Sequence, residues 1–322
     1  MKAILAGKDE KLCWEQQPDP AVPKGYVMLD VKAAGVNRAD LLQRKGLYPP
    51  PPGASEILGL ELAGEIIEIN GNTHWQQGQR AMALVPGGAY ASKAVVPVGM
   101  LLPIPSQFSY AEAAAIPEAI LTSYLNLVTI GKLKAGETVL IHAGAGGIGS
   151  TAIQLATALK AKVITTAGTD EKLVFCRELG ADIAINYHEP EFEQKLKNAA
   201  AEGIDLVFDT VGGSRYGSLH PRLLNKYGRW IIIGLLAGRN AEIDLGQILI
   251  KNIIISGSTL RSRPQVEKEG LIANIQKEVI QLYKIGVIRP VLDKVFPIEE
   301  AETAHEYMQS GKAQGKIVLA IS

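Results

Sequence analysis

Cysteine is scarce: Cys13 and Cys176 are the only two in 322 residues. That excludes a disulfide framework and any cysteine-rich zinc site. Histidine is thin as well. The five (His74, His142, His188, His220 and His305) are scattered, with no HExxH pair. An excess of one charge is missing too, since 33 Lys+Arg balance 33 Asp+Glu, whereas a nucleic-acid binder carries a basic surplus. No apolar run approaches the ~18 residues of a membrane span. The amino-terminal stretch MKAILAGKDEKLCW has too short an apolar run for a secretion signal. The expectation is a cytoplasmic protein with neither a membrane nor a nucleic-acid partner. GxxxxGK[ST] and GxSxG are also absent, which removes the usual supports of kinase and hydrolase chemistry.

What is present is ordinary globular material, 47% hydrophobic and 20% charged, in a length that suggests two domains. Up to about residue 120 the chain is rich in proline, with short β-like runs such as YVMLDVKAA, ELAGEIIEIN and ASKAVVPV between turn signals. YAEAAAIPEAILTSYLNLVTIGKL then reads as a helix broken or kinked at Pro117. Beyond it, apolar strands alternate with helices: ETVLIHAG, KVITTAG, DIAINY, IDLVFDTVG, RWIIIG and NIIISGST are six strands. Such alternation argues for a doubly wound parallel sheet. A helical stretch (EGLIANIQKEVIQLYKIG) and a strand (GKIVLAI) follow.

The most specific motif is HAGAGGIGS, His142 to Ser150, lying after a strand and opening a helix. In that context glycines let backbone approach a pyrophosphate, and free N–H groups at the helix start face the phosphates. Ala143, Gly146 and Gly149 take the fingerprint positions, and Gly147 and Ile148 complete the expected phosphate contacts. The second strand ends without the acid that would hold a ribose 2′-hydroxyl, since Thr165 to Gly168 reads TTAG. Gly168 leaves room there, and Lys172 and Tyr187 could bind a 2′-phosphate, so NADPH is the expected cofactor. Asp170 and Glu171 beside Lys172 weigh against it, and a solvated helix lysine is the simpler account. With a nucleotide site and no protein nucleophile, the chemistry falls to the cofactor. His142 reads as a packed neighbour of the turn.

NRADLLQRKGLYPPPPGASEILGLELAG, AMALVPGG, AAAIPEA, LIHAGAGGIG, AIQLA, LRSR and GKIVL occur in one order along nearly the whole chain. In this it resembles the zeta-crystallin-like quinone oxidoreductases of the medium-chain dehydrogenase/reductase superfamily. The resemblance implies an α/β architecture: a GroES-like β-rich domain (1–120 and 262–322) and a Rossmann domain with a six-stranded parallel sheet (121–261). Nicotinamide and substrate would lie in a cleft between the two. It implies reduction of a small quinone by NADPH, with reduction of activated C=C bonds in enals or enones as an alternative. A non-catalytic nucleotide- or RNA-binding role is the other alternative. Members dimerise through the sixth strand, so a homodimer is implied.

The superfamily's zinc alcohol dehydrogenases carry a cysteine where GVNRAD has Asn37 and a histidine where LGLELAG has Leu60, with Glu61 kept. Their four-cysteine lobe is absent, so no metal is expected. Asn37 and Tyr48, in the segment like the family's active-site loop, are the implied catalytic residues. Asn37 also reads as a helix cap reciprocated by Asp40, and Tyr48 as a packing residue before four prolines. Further cofactor contacts implied are Thr122, Gly234, Leu235, Leu260 and Arg261.

Overall fold

The computed structural model describes residues 1–6 and 11–322, so part of the amino-terminal stretch read above lies outside the described residues. Two compact units emerge, Met1–Leu121 with Leu260–Ser322, and Thr122–Thr259. Relative to the boundaries expected above, Leu121 joins the first unit, and so do Leu260 and Arg261.

The first unit begins with a hairpin, β1 (Lys2–Ala6) on β2 (Leu12–Gln16). The long strand β3 (Tyr26–Val36) leads into α1 (Arg38–Arg44). β4 (Glu61–Asn70), β5 (Arg80–Leu84), β6 (Lys93–Pro97) and β7 (Leu101–Pro103) follow. β3 is long enough to serve two partners besides β4, Tyr26–Asp30 pairing with β6 and Ala33–Val36 with a strand near the carboxyl end.

α2 (Tyr110–Ala114) is held by a capping box between Ser109 and Glu112. The break expected at Pro117 is observed: α2 ends at Ala114 and Pro117 opens α3 (Pro117–Tyr124), the first-turn position where its missing N–H costs nothing. A π-helical turn, Leu125–Ile130, continues it. Tyr110–Ile130 corrects one expectation, being 21 residues long and apolar enough to span a membrane, yet 78% of an 18-residue window within it is buried in the protein. Its apolarity serves the core.

The second unit alternates β8 (Thr138–Ile141), α4 (Gly147–Ala158), β9 (Lys162–Ala167), α5 (Asp170–Glu178), β10 (Ile183–Asn186) and α6 (Phe192–Ala199). β11 (Ile204–Asp209), α7 (Ser214–Gly217), α8 (Leu219–Leu223), β12 (Leu224–Ile232), α9 (Leu245–Lys251) and β13 (Ile254–Gly257) complete it. All neighbours are parallel in the order β10-β9-β8-β11-β12-β13. Counted within the unit this is 3-2-1-4-5-6, the Rossmann order, in which the chain reverses direction beside its first strand. The strands read as unbroken apolar runs because helices cover both faces. Leu140, Val163, Ile164, Val207 and Phe208 are fully buried.

The chain then returns to the first unit through α10 (Gln265–Glu278), α11 (Ile280–Lys284), β14 (Leu292–Pro297), α12 (Ala301–Gln309) and β15 (Lys316–Ala320). β15 inserts between β14 and β3, giving the GroES-like sheet order β14-β15-β3-β4-β5-β7.

Candidate functional site

In the Rossmann unit the glycine-rich turn is built by close backbone approach. A Cβ on Gly144 would lie 2.0 Å from Thr165 Oγ1, and one on Gly149 would lie 2.3 Å from the Ala143 carbonyl oxygen. Ala143 takes a left-handed φ of 53°, unusual for a residue with a Cβ. Gly146 is the N-cap of α4, and no side chain caps that helix. The first helical bond is Ser150 N–H to Gly146 O at 2.9 Å. The N–H groups of Gly147, Ile148 and Gly149 therefore point out of the helix's positive end, an arrangement that fits a pyrophosphate.

Beside it, β9 and β10 bring Gly168 against Tyr187, whose hydroxyl oxygen would lie 2.6 Å from a Cβ at 168. Thr169 caps α5 by accepting the Lys172 N–H at 3.3 Å, so Lys172 is held at the same strand end. α7 adds a cation the sequence reading missed. Arg215 donates to the Tyr187 carbonyl at 3.0 Å and stacks on Phe192 at 4.4 Å. Gly234 passes so near Thr210 that a Cβ would lie 2.3 Å from its carbonyl oxygen, and Leu235 is half exposed. Thr122 is buried, its carbonyl accepting from Asn126 Nδ2 at 2.8 Å.

Under the turn, His142 is fully buried, as a packed neighbour should be, and bonded at both ring nitrogens. Nδ1 lies 2.9 Å from Thr166 Oγ1, and Nε2 lies 2.9 Å from Nε2 of the equally buried His220. Two facing Nε2 atoms can share only one proton. If His220 donates from Nε2 and His142 donates from Nδ1 to Thr166, every N–H is satisfied and only the acceptor His220 Nδ1 lacks a partner. Burial pushes His142 down to about 4 and His220 well below the ordinary histidine value, so both are neutral at pH 7. Tyr216 stacks on His220 at 5.0 Å, and Trp230 meets it edge-on at 4.7 Å.

In the GroES-like unit, β15, β3 and β4 are neighbours, which places Lys316, Asn37 and Glu61 together. Lys316 Nζ lies 2.5 Å from Glu61 Oε1 and 2.6 Å from Asn37 Oδ1, while Asn37 Nδ2 donates to Glu61 Oε1 at 2.8 Å. Chemistry fixes the amide's orientation, because an ammonium only donates and a carboxylate only accepts. Glu61 Oε2 accepts the Glu118 N–H at 2.8 Å. Gly35 makes the room, since a Cβ there would lie 2.3 Å from Glu61 Oε1.

The expected reciprocal cap between Asn37 and Asp40 forms a capping box at the start of α1. Asp40 Oδ2 accepts the Asn37 N–H at 2.8 Å, while the Asn37 side chain is drawn to Lys316. Asp40 is buried, which raises it to about 6, and it also accepts from the Tyr90 hydroxyl at 3.0 Å. Tyr90 in turn lies 3.2 Å from His305 Nε2.

Tyr48 is half-buried, and burial raises its phenol above the ordinary tyrosine value. Its ring lies 5.3 Å from the Arg261 guanidinium, which donates to the carbonyls of Tyr48 (3.1 Å) and Pro86 (2.7 Å) and to Gln43 Oε1 (2.7 Å). Arg261 and its buried neighbour Leu260 thus belong to the β-rich unit, and the Arg261 side chain braces the Tyr48 loop. Three of its five N–H donors are used there.

Asn37, Leu60, Glu61 and Lys316 do not fit a zinc ion. An amide and an alkyl group replace thiolate and imidazole, and an ammonium already neutralises the one carboxylate. Among the described residues no group of three His, Cys, Asp or Glu is placed to hold a metal.

Comparison with known proteins agrees with this architecture. The family model for the alcohol dehydrogenase GroES-like domain matches residues 23–106, and that for zinc-binding dehydrogenases matches 147–277. The synaptic vesicle membrane protein VAT-1 homolog of Rattus norvegicus is 31% identical over 94% of this chain and 80% of its own. The quinone oxidoreductase of Sus scrofa is 32% identical over 95% and 93%. Escherichia coli quinone oxidoreductase complexed with NADPH superposes with a TM-score of 0.87 at 29% identity, covering 99% of this chain and 98% of that one. The CurK enoyl reductase gives 0.86 at 27% identity, covering 100% and 99%. The chain therefore belongs to the medium-chain dehydrogenase/reductase superfamily and is an oxidoreductase that works with a pyridine nucleotide.

Proposed function

We propose that this chain is a zinc-free quinone oxidoreductase that prefers NADPH. The observation that carries the reading is the pairing of Asn37 with Lys316 and Glu61 where metal-dependent relatives need a thiolate. With no Lewis acid, the chain suits an acceptor needing little polarisation, and a quinone is one because its reduction restores aromaticity. When bound, the reduced nicotinamide supplies the reducing equivalents.

The chain's own residues hold and orient. The N–H groups of Gly147, Ile148 and Gly149 take the pyrophosphate, and Gly168, Lys172, Tyr187 and Arg215 take a 2′-phosphate. Thr122, Gly234 and Leu235 flank the nicotinamide half. Tyr48, kept protonated by burial, donates to a substrate carbonyl oxygen. Asn37, its amide oxygen spent on Lys316, positions the loop that carries Tyr48.

The test is a screen of NADPH oxidation with 1,2-naphthoquinone and a 2-alkenal in parallel. Quinone turnover should dominate, fall about tenfold or more in Tyr48→Phe with the fold intact, and be much weaker with NADH. The likeness to an enoyl reductase favours the second reading, so turnover of the alkenal alone would replace the proposal with C=C reduction. NADPH binding without turnover of either would leave a non-catalytic role.

A homodimer belongs to the same proposal. β13 is an edge strand with Ile254 58% exposed, and Leu245, Leu249 and Ile250 of α9 are 73–79% exposed. An uncovered apolar edge invites a second chain. A monomer by light scattering would count against it.

A further inference from the structure

Beneath the phosphate turn lies a polar pair that takes no part in the contacts assigned so far. His142 and His220 are fully buried and joined Nε2 to Nε2 at 2.9 Å. Their surroundings are the core of the Rossmann unit, with Tyr216, Leu219, Leu223 and Trp230 buried around α7 and α8. A hydrogen bond placed there pays desolvation that apolar side chains of the same shape avoid, so packing alone does not account for the pair.

The two rings belong to two elements that meet the cofactor. His142 directly precedes Ala143, the left-handed residue that starts the turn, and its carbonyl accepts from Thr210 Oγ1 at 3.1 Å. Thr166 ties it to the turn twice over. Its hydroxyl lies 2.9 Å from His142 Nδ1, and its carbonyl accepts the Gly144 N–H at 3.0 Å. His220 lies in α8, directly after the α7 that carries Arg215. Tyr216 lies against both rings, 4.3 Å from His142 and 5.0 Å from His220 between ring centroids.

α7 cannot hold itself in place. Its four residues are far too few for a helix that is stable alone, and Gly212 and Gly213 before it both take positive φ, 62° and 82°. Ser214 Oγ holds its start, on the Asn240 carbonyl at 3.2 Å, and Tyr216 and His220 hold its buried side. Arg215 is exposed, with one N–H on the Tyr187 carbonyl. The rest of the guanidinium fork faces outward at the strand end where Gly168 and Tyr187 meet, the geometry that suits a phosphate.

We propose that His220 is a positioning residue for the NADPH preference: its hydrogen bond to His142 locks α7 to the phosphate turn and so aims Arg215 at the 2′-phosphate. The inference rests on the NADPH reading above and is independent of the quinone, because it concerns binding rather than turnover.

Calorimetric titration of the full chain with NADPH and with NADH tests it, since the two differ only in that phosphate. His220→Leu should lose about tenfold in NADPH affinity, the worth of one hydrogen bond to a charged group, with NADH affinity unchanged. His220→Asn, whose amide is too short to reach His142, should do the same and reads out the effect if the leucine variant does not fold. His220→Gln, which carries an amide N–H at the reach of Nε2, should keep the native ratio. In an Arg215→Met background the leucine substitution should have no further effect. Equal losses for both nucleotides, or an unchanged ratio, would show that His220 only fills space, overturning the proposal and leaving the NADPH reading intact. A full additional loss in the Arg215→Met background, or a loss in His220→Gln as large as in His220→Leu, would also overturn it. Equal affinity of the native protein for the two nucleotides would instead sink the NADPH reading, and the proposal with it.

Discussion

Gly149→Ala is expected to cost at least about 100-fold in NADPH affinity, because the turn leaves no room for the smallest side chain. The new Cβ would lie 2.3 Å from the Ala143 oxygen and 2.7 Å from Gly144 Cα. Both are backbone atoms in a segment pinned by Gly144 N–H to Thr166 O at 3.0 Å and Gly146 N–H to Ala143 O at 3.0 Å. No rotamer change relieves such a contact, so α4 must move away from β8 and carry its free N–H groups out of line. The packing loss should lower stability by about 1–3 kcal/mol. Fluorescence titration and thermal unfolding measure the two effects. Gly270→Ala is the control, since a Cβ there meets nothing within 4 Å. In mid-helix it should leave binding unchanged and raise stability by about 0.5–1 kcal/mol. Near-native NADPH affinity in Gly149→Ala would refute the cradle.

Lys316→Met is expected to destabilise the protein by about 3–5 kcal/mol, the usual result of breaking a buried ion pair from one side. Lys316 and Glu61 are 3% and 0% exposed. Without the ammonium, Glu61 keeps only the Asn37 amide and the Glu118 N–H, and Asn37 Oδ1 loses its donor. Glu61→Gln in the same chain removes the stranded charge, so the double variant should recover at least about half of the loss. Urea unfolding of the three variants gives the cycle. A single-variant loss under about 1 kcal/mol would mean that water reaches Glu61 and the pair is not dry.

The two units differ in how far their sequences betrayed them. In the Rossmann unit the signals are local: apolar strands, alternating helices, and glycines next to a helix start, each within one turn of where it acts. Even there Arg215 escaped notice, because its placement depends on how α7 packs, and no spacing ties it to Tyr187. In the GroES-like unit the turns and strands were legible, but the partner of Asn37 was not. Lys316 stands in GKIVL, the one charge before an apolar run. That reads as a strand edge until β15 is known to lie against β3. Arg261 was assigned to the Rossmann unit for a similar reason, since the LRSR segment follows the last Rossmann strand in sequence yet packs on Tyr48. The break at Pro117 was legible, since α2 ends at Ala114 and Pro117 opens α3. The same ring that breaks a helix interior is favoured at its first turn.

The placement of β15 governs the order in which the chain can fold. Lys316 donates to Val36 and Asn37 across 280 and 279 positions, whereas all six strands of the Rossmann sheet fall between Thr138 and Gly257. On a ribosome the nucleotide unit can therefore complete its sheet while the second half of β3 still lacks its neighbour. During that interval Glu61 has no cation to face and must stay hydrated or protonated. Domains generally fold from the amino terminus first, and long-range pairing is slow because loop closure precedes its reward. Here the unit begun first is finished last, when Lys316 arrives to neutralise the carboxylate of Glu61, made far earlier in the chain.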